Sequence, residues 1–188
     1  MLLPVMLSGA FAGCPEGYRT VEEDVREADA AIRITDFRRE SVLTDGTKQW
    51  FVRAEEAFIY QNNKKTARII AYNFRFEQYD AQGRPSDVIT ADRGEIDQDE
   101  EMFYLSGNVF FKGGEKNRTI RAEEVEYDRI NQIMTSEKPL VIEEAGLVTR
   151  CTRGAEIDNA ENRQICKGPV VVSTSTSGPE DSAGDLFQ

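Results

Sequence analysis

The chain has 188 residues, enough for one domain and a tail, with 30% charged residues, a net charge of −11 and no histidine. That acidic balance argues against charge-driven binding to a nucleic-acid backbone or an anionic membrane surface. The absence of histidine excludes imidazole-based triads and most zinc sites.

Residues 1–13 (MLLPVMLSGAFAG) carry no charged side chain and run up to Cys14. The run is too short to cross a bilayer as a helix, which takes ~20 apolar residues. It resembles the apolar part of a signal peptide. Ala12 and Gly13 before Cys14 resemble a bacterial lipobox, with Phe11 where Leu is usual and no Lys or Arg ahead of the run. On this reading Cys14 is the acylated first residue of the mature protein. Several acyl chains at ~0.8 kcal/mol per buried CH2 give stable anchoring. An uncleaved or truncated anchor is the alternative. Residues 15–31 are polar and acidic and read as a spacer from the membrane.

The folded domain is expected over 32–173. Apolar alternation starts at Ile32, Ile34 and Phe37, and Asp45-Gly46 is a hairpin signal ahead of Trp50. From there one unit recurs. Residues 88–97 (VITADRGEID) match 119–128 (TIRAEEVEYD) and 149–158 (TRCTRGAEID), and 51–60 (FVRAEEAFIY) is a looser copy. Each copy is followed by a turn and a second strand: 67–76, 105–112, 135–143 and 166–173. Units repeat roughly every 30 to 37 residues, and one hairpin cannot bury its apolar face alone, so stacked hairpins must share a core. Residues 174–188 are Ser/Gly-rich and polar and read as a disordered tail.

Within the first strands the apolar phase slips. Ala54 to Ala57, Ala91 to Gly94 and Ala122 to Val125 are steps of three, where one face of a regular strand allows only even steps. An extra residue at the same place in each copy predicts a repeated β-bulge and a curved stack. A helix is the alternative for AEEVEYD. The flanking β-branched and aromatic residues favour strand.

No catalytic constellation emerges, and no cofactor or metal site is expected. Asp97, Asp99, Glu100 and Glu101 lie in a turn with no apolar pocket to raise a carboxylate pKa, and DQDEE lacks the spacing of a calcium loop. Serine is plentiful but lacks a nucleophile-elbow setting. Cys151 and Cys166 flank the turn of the last hairpin and are expected nearly opposite each other. A cross-strand disulfide and two buried thiols are both open.

The order of WFVRAEEAFIY, YDAQGRPSDVITADRGEI, LSGNVFF, TIRAEEVEYD, SEKPLVIE and GPVVV resembles the LptC/LptA (OstA-like) periplasmic proteins of lipopolysaccharide export, of the LptC type. The resemblance covers about 32–173. It implies an all-β fold, an open β-jellyroll of stacked antiparallel bulged hairpins forming a V-shaped trough. It also implies a non-enzymatic, membrane-tethered bridge that passes lipid acyl chains along an apolar groove to the next jellyroll protein. The implied partners are lipopolysaccharide or a related lipid, an inner-membrane ABC transporter complex and an LptA-like protein docked edge to edge. LptC members usually carry an N-terminal transmembrane helix, and here the lipobox-like Cys14 stands in its place.

Phase then gives the groove lining: Val52, Ala54, Phe74, Phe76, Ile89, Ala91, Phe103, Leu105, Val109, Phe111, Ile120 and Ala122. The alternative is that these form a closed core, as in a structural or adhesive envelope lipoprotein.

Overall fold

The computed structural model describes residues 26–62, 65–97, 101–113 and 118–174. The expected signal segment 1–13, Cys14, spacer residues 15–25 and tail residues 175–188 lie outside the described residues.

Twelve strands follow in order: β1 (Ile32–Val42), β2 (Lys48–Asn62), β3 (Lys65–Tyr79), β4 (Pro85–Asp97), β5 (Met102–Gly113), β6 (Arg118–Asp128), β7 (Ile133–Ser136), β8 (Leu140–Glu144), β9 (Leu147–Cys151), β10 (Ala155–Asp158), β11 (Arg163–Cys166) and β12 (Val170–Thr174). They form one antiparallel sheet, the open β-jellyroll expected from the sequence. β1 to β6 pair in chain order. The sheet then forks at β6. Residues 126–128 of β6 pair with β7, which leads to β10 and β11, while residues 119–122 pair with β8, which leads to β9 and β12.

The fork continues a crease that crosses the first six strands. Each of these is long, 11 to 15 residues, and all but β5 change apolar phase near the middle. The crease divides the sheet into two leaves. The first holds residues 37–42, 48–54, 74–79, 85–91, 109–113 and 118–122 with β8, β9 and β12. The second holds 32–35, 56–62, 65–72, 93–97, 102–106 and 125–128 with β7, β10 and β11. Their apolar faces close on one shared core, in which Phe76 of the first leaf meets Phe103 of the second at 5.1 Å between ring centroids. Edge-to-face rings like these add ~0.5–1.5 kcal/mol beyond their burial.

The odd steps fall where the sequence puts them: Ala54 and Ala57 are both buried, as are Ala91 and Gly94. The pairing corrects the expectation of a bulge in every first strand. β2, β3 and β4 cross the crease in unbroken register, with Arg53 opposite Arg75 and Glu56 opposite Tyr72, then Tyr72 opposite Arg93 and Phe74 opposite Ala91. They slip phase together. The extra residue lies instead on β5, where Thr90 and Arg93 face Phe110 and Ser106, and Val109 and Ser106 face Ala122 and Glu124. β5 steps evenly from Leu105 to Val109 while its neighbours take odd steps, so it needs one residue more. Gly107 and Asn108 absorb it at φ 72° and 47°, and β1 and β3 turn the same corner at Asp36 and Asn73, φ 53° and 52°. Gly94 is required for a different reason: a Cβ there would stand 2.8 Å from the Phe74 ring.

A second correction concerns the last repeats. Residues 135–143, 149–158 and 166–173 read as single strands, yet each is broken at the crease. β7 stops at Ser136 and β8 starts after Pro139, which has no N–H for the ladder. β9 and β10 are separated at Gly154, φ 89°, and β11 and β12 at Gly168-Pro169. The last two breaks lie side by side: Lys167 N donates to Gly154 O at 2.8 Å and Thr152 Oγ1 to Pro169 O at 2.9 Å.

Candidate functional site

The space between the leaves is the candidate site. Of the residues expected to line a groove, Val52, Ala54, Phe74, Phe76, Ile89, Ala91, Phe103, Leu105, Val109, Phe111 and Ile120 are all buried in the shared core, and Ala122 packs against it half-buried. The fold therefore brings together every position that parity selected. It packs them against one another: Phe74 and Phe76 both lie edge-on to Phe103, and Tyr127 fills the angle between Phe76 and Phe103. A ligand could reach such an interior only where the leaves part.

The two ends of the gap between the leaf margins differ. At the β1–β2 end lies a cavity of about 350 Å³. Phe37, Trp50 and Val52 wall it from the first leaf, and Ile96 and Phe103 from the second. Its rim is charged. The Arg39 and Arg129 guanidiniums lie 5.7 and 6.0 Å from the Trp50 ring, and Arg129 Nε donates to Glu101 Oε2 at 2.7 Å. At the β10–β11 end the margins touch through Arg118, which is only 4% exposed. Its Nε donates to Glu144 Oε2 at 2.5 Å on the first leaf, and its Nη2 to Asn162 Oδ1 at 2.7 Å on the second. Between these ends Tyr127 is fully buried, and burial, with the nearby Asp87 carboxylate, pushes its phenol pKa well up. It stays a neutral, apolar wall.

A larger cleft, about 540 Å³, follows the outside of the crease and is lined mainly by charged and amide side chains that satisfy one another. Asp36 takes Arg38, Glu55 takes Asn73, and Asn108 Nδ2 donates to Asp92 Oδ2 at 2.8 Å. Ala54, Phe74 and Ala91 of the core form part of its floor. Among the described residues no group of His, Cys, Asp and Glu is placed to hold a metal ion.

Cys151 and Cys166 are joined, with Cα atoms 5.2 Å apart. They are not opposite each other as a flat hairpin would require: Cys151 faces Val170 and Cys166 faces Ala155. In a straight pair that four-residue offset spans about 13 Å at ~3.3 Å per residue. The breaks at 152–154 and 167–169 fold it up, so the bridge spans the crease from one leaf to the other.

The end of the expected spacer is tied down. Glu27 accepts hydrogen bonds from Tyr60 and from Tyr72, the latter at 2.9 Å, and Ala31 N donates to Ile59 O at 2.9 Å. Burial raises the Glu27 carboxyl, but the two phenols and the Arg93 charge outweigh it and lower its pKa. Tyr60 is pushed up to about 12 by burial and its bond to that carboxylate. The chain thus leaves the sheet beside β2 on the second leaf. Among the described residues no helix is long and apolar enough to cross a membrane.

Phe37, Trp50, Arg129 and Arg118 were not singled out as site residues by sequence. For Arg118 the signal was present. It shares parity with Ile120 and so faces inward, but its place at the end of the basic turn 112–118 (KGGEKNR) suggests a solvated charge.

A family model described as "Lipopolysaccharide-assembly, LptC-related" matches residues 2–163. No curated protein matches the chain.

Proposed function

The chain belongs to the LptC-related family of lipopolysaccharide-assembly proteins, and from that premise we propose that it is a bridge that shelters acyl chains between its leaves. Family membership itself carries a role in lipopolysaccharide transport. The finer reading is that acyl chains enter at the β1–β2 margin, lie against the inward faces of β2 to β6 and pass to a second jellyroll docked at the far edge. Apolar burial alone holds such a ligand, at ~0.8 kcal/mol per CH2, so no catalytic group is needed. The observation that carries the reading is one continuous apolar interior between two leaves of an open sheet.

The ends of the sheet suit docking. Among the described residues β1 pairs only with β2, β11 only with β10 and β12 only with β9. Val170, Val171 and Val172 on β12 are 47%, 52% and 60% exposed, an apolar edge that proteins usually protect. A partner strand added there completes the ladder. An anchor at Cys14 or a membrane segment in its place would tether the fold at the second leaf beside the inner-membrane transporter.

The close packing of the interior favours one competing reading, a structural envelope protein with a closed core. Titration with a fluorescent lipid A analogue separates the two. Saturable binding that weakens when Phe103 is replaced by Asp supports the bridge, and a fold that excludes the probe at all concentrations supports the closed core. Recovery of an ABC transporter subunit with the anchored protein, lost on removing 26–31, and of a second jellyroll protein, lost on replacing Val171 with Asp, locates the two docking surfaces.

A further inference from the structure

We propose that Arg118 is a latch that pins the leaf margins together at the β10–β11 end, so that lipid leaves the trough there only when this latch releases. The inference deepens the transport reading and rests on it. Arg118 begins β6 on the first leaf, in phase with Ile120, so its side chain enters the gap where an apolar residue would continue the core. Burying a guanidinium is costly unless its donors are satisfied. Here they find acceptors on both sides of the gap. Nε holds Glu144 at the end of β8, on its own leaf, while Nη2 and Nη1 reach Asn162 Oδ1 at 2.7 Å and Asn159 Oδ1 at 3.4 Å.

Both asparagines belong to the β10–β11 turn, on the second leaf, and that turn is itself held. Asn159 N donates to Gln132 O at 3.1 Å and Glu161 N to Asp158 Oδ1 at 2.8 Å. Prising the margins apart at this end therefore strips acceptors from a buried charge. At the opposite end the Arg129 guanidinium lies over Trp50 at 6.0 Å, beside a cavity of about 350 Å³. One end of the gap holds a cavity with apolar walls and a charged rim, and the other is bolted by a buried charge. That asymmetry gives the trough a direction. The bolt is also reversible, since its hydrogen bonds to Asn162 and Asn159 break without disturbing the β6–β8 ladder.

Asn162→Gly is the mild test. Asn162 is exposed and sits at φ 55°, which glycine adopts freely, so this variant removes the acceptor and keeps the turn. Arg118→Met is the stronger one, keeping length and apolar bulk. The latch predicts at least tenfold faster amide exchange over 159–166 in both variants, with β2 and β3 unchanged. It also predicts severalfold faster dissociation of a bound fluorescent lipid A analogue. Unchanged exchange in both variants overturns the latch. Faster exchange with an unchanged dissociation rate overturns its role in release and leaves the transport reading standing. Failure of the wild-type protein to bind the analogue counts against the transport reading itself.

Discussion

In β1 to β6 the crease is crossed by continuous strands, whereas in β7 to β12 the chain breaks at it. Both regions build the same two leaves with the same inward parity. The first keeps its ladders running through positive-φ residues at Asp36, Asn73 and Gly107-Asn108, and needs no covalent help. The second gives up the ladder at Pro139, Gly154 and Gly168-Pro169, leaving four- and five-residue strands. Such strands are individually marginal. This region carries the disulfide and the acceptors that hold Arg118 of β6, each joining one leaf to the other. The comparison teaches that continuous strands stiffen a corner, while broken ones move the work of holding it to side chains.

The largest expected effect is common to both regions. Phe76→Ala removes the ring that joins the leaves through Phe103 and Tyr127, and should cost ~3–5 kcal/mol in denaturant unfolding. Loss confined to one half of the molecule would show that the leaves do not share a core. Next, replacing Cys151 and Cys166 together with Ala should cost ~2–4 kcal/mol. Amide exchange should rise over β9 to β12 and stay level over β2 to β4. A uniform rise would erase the distinction between the regions.

Gly154→Ala tests a break directly. Its φ is 89°, and an added Cβ would stand 2.0 Å from Ser136 O, so a loss of ~2–3 kcal/mol is expected from thermal unfolding. The counterpart in the continuous region is Asn73, which bonds Glu55 at the crease of β3. Asn73→Ala should cost ~1 kcal/mol and Asn73→Gly less, because alanine resists the left-handed conformation. The smallest effect is at the tether. Glu27 has a lowered folded pKa, so its contribution is present above its usual pKa of 4.5 and fades as pH falls through the folded value. Tyr60 has a raised one, so its contribution is present below its usual 10 and fades as pH climbs through about 12. Tyr60→Phe should lower Tm by a few degrees at pH 7, and the difference should shrink as the pH is taken progressively below 4.5.

Much of this comparison is visible in the sequence because strand parity is a local property. The steps from Ala54 to Ala57 and from Ala91 to Gly94 mark the crease before any coordinates. They do not say which strand holds the extra residue, because register is a relation between neighbours and β5 on its own looks regular. The breaks at 137–139, 152–154 and 167–169 contain Pro or Gly, but matching whole copies to one template hides them inside aligned strands. Arg118 is obscured for the opposite reason. Its charge suggests solvent, and only its phase with Ile120 places it in the gap. The disulfide is one of two states that the spacing of Cys151 and Cys166 leaves open, and its geometry across the crease depends on breaks that spacing alone does not reveal.

The central claim is that lipid lies between the leaves. The most direct measurement places a photo-crosslinking amino acid in living cells at Phe103 and Ile120, which face inward, and at Tyr104 and Arg121, which face out. The account predicts lipopolysaccharide adducts at Phe103 and Ile120 and none at Tyr104 and Arg121. Adducts only to neighbouring protein at all four positions would contradict it.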